Sequence, residues 1–145
     1  MAAPATGDLD SRLLDAFRSG AWLELGSQAP SDNALAARIP ATRLRELLLG
    51  LDPTACAAAR GQVALRVRGA LIEGCLELRE CSGADGGPLP PILLEHCLFR
   101  GEPLDPGRPV IDAAHARLGR LSLAGSRLGV IDLQGASLLG DLDIS

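Results

Sequence analysis

Lysine is missing from this chain, and so is tyrosine. All 14 basic residues are arginines, so neither a Schiff-base lysine nor a P-loop lysine can operate here. Aromatics make up only 2% (Phe17, Trp22 and Phe99), too few for a platform on which nucleic-acid bases stack. Positive charge is in deficit. The 14 arginines face 18 acids, for a net charge of −4, which argues against a basic nucleic-acid footprint. No apolar run reaches the roughly 18 residues a membrane helix needs. The first residues, MAAPATGDLD, have neither the basic start nor the apolar core of a secretory signal. The four cysteines, Cys56, Cys75, Cys81 and Cys97, form no CxxC pair, so a zinc ribbon or thioredoxin-like site is not expected. The expectation is a cytoplasmic chain without disulfides, nucleic-acid partner or integral membrane segment, with peripheral membrane association left open.

What is present is aliphatic. The 145 residues are 47% hydrophobic and 22% charged, the size and balance of a globular domain. Composition changes near residue 60. Before it, Leu9, Leu13, Leu14 and Phe17 predict a helix capped by Asp8 or Asp10 and stopped at Gly20. Trp22–Leu25 reads as extended, Ser27–Asn33 as loop, and Ala34–Arg38 as a short helix ending before Pro40. A further helix takes Pro40 in its first turn, the stripe Leu44, Leu47, Leu48 and Leu51, and Gly50 as its stop.

After Gln62 the helical period disappears. Val63–Val67 alternates as a strand does, and then a period of five sets in. It is clearest in ARLGR, LSLAG, SRLGV, IDLQG and ASLLG, centred on Leu118, Leu123, Leu128, Leu133 and Leu138. The residues two before each centre are Ala116, Leu121, Ser126, Ile131 and Ala136. Neither a helix nor a flat strand keeps a five-residue stripe on one face, so the chain must turn about once per five residues. Four turns make a square coil, and stacked coils make a solenoid. Residues 65–79 also superimpose on 131–145, Gly69 on Gly135 and Leu76 on Leu142. That offset suits about three coils plus two loops, Ser82–Pro91 and Glu102–Pro109, where the phase slips. The loop Ser82–Pro91 reads as a mobile protrusion. The fold expected is mainly β: a right-handed quadrilateral β-helix over 61–145 with a helical N-terminal cap over 1–60, burying Leu65, Val67, Ile72, Ile92, Leu94, Phe99 and the five leucines named above.

The period resembles pentapeptide-repeat proteins, which implies that right-handed quadrilateral β-helix with small residues and leucines inside. A narrower resemblance rests on IPATRLRELLLG, VALRVRGALIEGCLELRE, PPILLEHCLFRGEPLD and GASLLGDLDIS. Together these are similar to bacterial proteins with a helical N-terminal region followed by pentapeptide-like coils, often labelled membrane-associated oxidoreductases. The chain carries no GxGxxG fingerprint.

Chemistry-bearing residues are few. Cys75, Cys81 and Cys97 with His96 and His115 could gather round a metal or form a redox cluster, but their spacing follows no ligand pattern, and core filling suits Cys97 better. In this register Cys75 faces outward and both histidines sit solvated at coil edges. Asp132, Asp141 and Asp143 form an acidic pair or a solvated face. Arg43, Arg45, Arg66 and Arg68 form an anion site or plain surface charge. Ser122, Ser126 and Ser137 belong to the repeat, since no GxSxG elbow is present. The expectation is therefore no catalytic, cofactor-binding or metal-binding residue, no cofactor, and a non-catalytic scaffold that binds protein partners. Two alternatives are kept: a DNA-mimicking topoisomerase binder, as some pentapeptide-repeat proteins are, and the oxidoreductase of the family label. The unfinished last repeat, with Leu142 and Ile144, favours end-to-end homodimers.

Overall fold

The computed structural model describes residues 5–26, 38–50, 63–83, 86–101 and 107–144. Within them the chain is mainly strand, with all named strand pairs parallel and two helices near the N-terminus. Helix α1, Ala5–Ser19, buries Leu9, Leu13 and Phe17, spaced by four on one stripe. It begins ahead of Asp8 and Asp10, so neither caps it; Asp10 instead receives Arg43. Gly20, at φ 74°, ends the helix and lets Ala21 N–H reach Ala16 O at 3.0 Å.

Two short strands follow, β1 (Leu23–Glu24) and β2 (Arg38–Pro40). Arg38, expected at the end of a helix, is extended because β2 pairs residue by residue with a later strand and buries Ile39. Such pairing overrides a weak local helical preference. Pro40 stands just before helix α2, Ala41–Leu48, with φ −67° and ψ 136°, rather than inside its first turn. Ala41, Leu44, Leu47 and Leu48 are its buried stripe, and Gly50 takes φ 70° beyond it. The expected loop over 27–33, the rest of the expected helix over 34–37 and residue Leu51 lie outside the described residues.

The remaining strands are β3 (Leu65–Arg68), β4 (Leu71–Glu73), β5 (Leu76–Glu77), β6 (Ile92–Glu95), β7 (Leu98–Gly101), β8 (Ile111–Asp112), β9 (Arg117–Leu118), β10 (Leu121–Ser122), β11 (Ile131–Asp132), β12 (Ser137–Leu138) and β13 (Leu142–Asp143). They form four parallel sheets. Sheet I runs β1-β3-β6-β10-β13, sheet II β2-β4-β7, sheet III β5-β8-β11 and sheet IV β9-β12. Isolated bridges add Arg127 beside Leu98 in sheet II and Leu89 beside Leu118 in sheet IV. From β3 onward, successive strands and bridges therefore visit sheets I, II, III and IV in turn and then begin again, while β1 and β2 belong to sheets I and II alone. Pairing starts at Leu23, well before the composition change near residue 60. Helix α1 lies against β1 and β3, and α2 against β5, the edge strand of sheet III.

The register corrects one sequence-level inference. Leu65 pairs with Ile92, Ile92 with Leu121, and Leu121 with Leu142, all in sheet I. Ile131, the residue that superimposed on Leu65, pairs instead with Ile111, and Ile111 with Leu76, in sheet III. The two matched segments thus start on different sheets. A five-residue pattern repeats at every turn, so it matches equally well whichever sheet it is laid on.

Side chains from all four sheets and both helices form one apolar cluster. Leu65, Val67, Ile72, Ile92, Leu94, Phe99, Leu118 and Leu123 are buried as expected. Leu128, Leu133 and Leu138 are only half-buried against that cluster. Nothing among the described residues packs beyond them. Leu89 is 1% exposed, so the stretch read as a protruding loop also supplies an inward residue, and Arg117 Nη1 ties it down through Gly86 O at 2.7 Å.

Close approach is strictest at Gly69, φ 76°, where a Cβ would stand 2.7 Å from the Cα of Gly26. The left-handed backbone alone disfavours a side chain there, and the obstacle is main chain that cannot step aside.

The burial gradient makes a direct prediction. Leu123→Asp should cost about 3–5 kcal/mol, the effect of an uncompensated buried charge. Leu128→Asp should cost only about 1–2 kcal/mol because the carboxylate can reach water. Urea unfolding followed by circular dichroism measures both; equal losses would contradict the gradient.

Candidate interaction surface

The chain turns where it enters left-handed conformation. Gly69, His96 and Gly125 have φ 76°, 53° and 69° between sheets I and II. Glu80, His115 and Gly135 have φ 58°, 59° and 69° between sheets III and IV. Each is followed by a small residue: Ala70, Cys97 and Ser126 at the first corner, Cys81, Ala116 and Ala136 at the second. Backbone hydrogen bonds link the corners in sequence, Gly69 N–H to Glu95 O at 3.2 Å and His96 N–H to Ala124 O at 3.0 Å. Both histidines thus occupy glycine-like positions. The half-buried His96 ring lies where a Cβ on Gly125 would fall, and the exposed His115 stands in the same relation to Gly135. They fill corners next to glycines.

The cysteines are explained by the same geometry. Cys97 is fully buried, with Leu98 N–H bonded to Ala70 O on one side and Arg127 N–H bonded to its own carbonyl on the other. Burial pushes its thiol up from 9.0 to about 11. Cys75, expected to face outward, is covered from solvent yet stands outside the apolar core cluster. It is 8% exposed and precedes β5 in the same column as Val110 and Val130. Its thiol is raised by burial, against the pull of Arg108. Cys81 is half-buried at the start of sheet IV. The three thiols therefore belong to sheets II, III and IV, and no cluster of His, Cys, Asp or Glu able to hold a metal occurs among the described residues. Cys56 lies outside them.

The polar candidates likewise separate. Ser126 Oγ donates to Leu94 O at 2.7 Å and accepts Cys97 N–H at 3.0 Å, which satisfies the preceding corner. Ser122 donates to Glu95 at 2.8 Å, and Ser137 is exposed. Asp132 accepts Gln134 N–H at 3.0 Å, as Asp112 does for Ala114 at 3.3 Å, so both close turns of sheet III. Asp141 and Asp143 are exposed at sheet I. Arg43 holds Asp10 at 2.7 Å, Arg45 bonds Glu77 O at 3.0 Å, and the Nε of Arg66 is buried without a partner. Arg68 lies 3.8 Å over the Trp22 ring, between Glu24 at 3.4 Å and Glu95 at 3.5 Å. The arginine run is thus split between a helix and a strand.

Opposite charges alternate across neighbouring strands. Arg38 and Arg100 flank Glu73 at 2.9 and 3.3 Å on sheet II, and Arg108 meets Glu77 at 2.9 Å near sheet III. Each such exposed pair is worth little. The apolar surface lies at the other end. Val130, Leu139, Leu142 and Ile144 are 61, 72, 44 and 48% exposed, beside the half-buried Leu128, Ile131, Leu133 and Leu138. The sequence pointed to Leu142 and Ile144 here, but not to Val130 or Leu139, which become exposed only because of where they fall on their sheets.

No helix among the described residues is long and apolar enough to cross a membrane. No protein-family model, curated protein or solved structure matches the chain.

Two outcomes follow from the corners. Gly125→Ala should lose about 1–2 kcal/mol from the left-handed backbone and its overlap with the His96 ring, and adding His96→Ala should recover part of that loss; strictly additive effects in thermal unfolding would refute the contact. Because the folded state favours the protonated thiol of Cys97, its contribution is complete below about pH 9 and is lost as pH rises toward 11. Iodoacetamide at pH 8 should accordingly label Cys81 well before Cys97, as peptide mass mapping would detect.

Proposed function

We propose that the chain is a right-handed quadrilateral β-helix of the pentapeptide-repeat kind, and that it works as a non-catalytic protein-interaction or scaffolding module in the cytoplasm. The observation that carries the reading is the repeated visit to sheets I–IV, with Ile111 pairing Ile131 and Arg117 pairing Ser137 at a spacing of twenty. In this reading residues 61–145 are about three coils. Residues 1–60 are the cap, and β1 and β2 within them add the start of one more turn. The left-handed corners and inward small residues are the signs of such a coil.

A stacked coil offers two kinds of surface. Its flanks carry alternating charge, which repels nothing strongly and attracts nothing strongly. Its uncovered end carries Val130, Leu139, Leu142 and Ile144 beside open parallel edges. Unpaired strand edges next to apolar side chains favour stacking on another such end. The partner of first resort is a second copy, joined end to end through a twofold axis, so that both layers are buried at once.

Analytical ultracentrifugation over a hundredfold concentration range tests this. The sedimentation coefficient should rise with concentration in the unaltered chain and stay constant in Leu142→Lys and Leu139→Lys. A single monomeric species in all three would overturn stacking through this end.

A further inference from the structure

A second surface has a different character. Between β7 and the segment 127–130 a groove of about 360 Å³ opens beside the edge of sheet II. Phe99, Val110 and Leu128 make its floor, and Arg100, Arg108 and Arg127 stand around it. Phe99 and Val110 are each 6% exposed. The pairing that would close the groove stops at one residue: Arg127 N–H bonds Cys97 O at 2.8 Å, and Phe99 N–H bonds Arg127 O at 3.0 Å. Two glycines keep the wall low. A Cβ on Gly101 or Gly129 would project to within 3.2 or 3.5 Å of Val110 Cγ1, into the space the groove occupies.

The charge of the groove is opposite to that of the chain, −4 overall. Arg100 and Arg108 are partly engaged by Glu73 and Glu77. Arg127 is exposed, and its guanidinium has no ion pair or hydrogen bond among the described residues. A guanidinium carries five N–H donors in a planar fork that matches a carboxylate. Beside an apolar floor it discriminates for a molecule that joins both features. We propose that this groove binds a small amphiphilic carboxylate, its head on Arg127 and a short alkyl body on Phe99, Val110 and Leu128. The volume is at the small end of ligand pockets, which suits a chain of about eight carbons rather than a long lipid. The site shares Leu128 and Val130 with the uncovered end, but it requires no second copy and survives the loss of that reading.

The test is a titration of the ¹⁵N-labelled chain at constant ionic strength with octanoate, octanol and acetate, read from the amides of Gly129 and Val130 and the Arg127 Nε–H. Octanoate should saturate these signals at concentrations where octanol and acetate shift them far from saturation. Arg127→Ala should weaken octanoate about tenfold or more, the scale of a lost charge-assisted hydrogen bond. Gly129→Val, which leaves every charge in place and fills the groove, should weaken it as well. Arg120→Ala, away from the groove, should stay within about twofold. Octanol or acetate binding as tightly as octanoate, no saturable shift at Gly129 and Val130, or unchanged affinity in both Arg127→Ala and Gly129→Val would each overturn the proposal. If Arg127→Ala loses its native spectrum, the octanoate-to-octanol ratio and Gly129→Val decide alone.

Discussion

The structure depends on each parallel strand lying directly on the preceding strand of its sheet. Backbone hydrogen bonds then run from strand to strand, and every corner must bend at the same place each time. At two of the four corners the bend is a single left-handed residue followed by a small one. Gly69-Ala70, His96-Cys97 and Gly125-Ser126 meet that demand at one corner, and Glu80-Cys81, His115-Ala116 and Gly135-Ala136 at another. A bulky residue in the second place would push neighbouring strands apart; a β-branched residue in the first would resist the conformation. Much of the composition follows, including the many glycines and alanines and the scarcity of aromatics.

This constraint also disposes of most chemistry-bearing residues. The thiol of Cys97 is buried because it takes the small inward place, and burial makes it a poor nucleophile. Ser126 is in the same place and uses its hydroxyl on the backbone of the preceding corner. Asp112 and Asp132 are spent on turns. Side chains that serve the stacking in this way are held in place by it.

Two surfaces remain distinct in kind. The flanks pair arginine with glutamate from strand to strand, so their charge is largely cancelled locally. The groove by Arg127 and the apolar end by Leu139 and Leu142 escape that cancellation for separate reasons. In the groove the pairing of sheet II stops after Arg127, and at the end no further strand follows within the described residues. A chain whose every strand is paired on both sides would offer neither.

The five-residue period by itself determined which side chains point inward, because a residue's place within its block decides whether it lies at a corner or on a strand. Leu65, Ile72, Leu94, Leu118 and Leu123 were legible on that ground, as were Leu9, Leu13 and Phe17 from a period near four. Which sheet a block belongs to was not legible. That depends on the number of turns already made and on insertions such as the one between β7 and β8, so Leu65 and Ile131 look alike in sequence yet lie on sheets I and III. Only the tertiary structure placed β1 and β2 in the sheets, since two- and three-residue strands have no period to detect; it alone covered Cys75 and gathered three arginines around an apolar floor. Burial of Leu128, Leu133 and Leu138 was likewise decided in three dimensions, because an inward direction buries a side chain only where another layer lies beyond it.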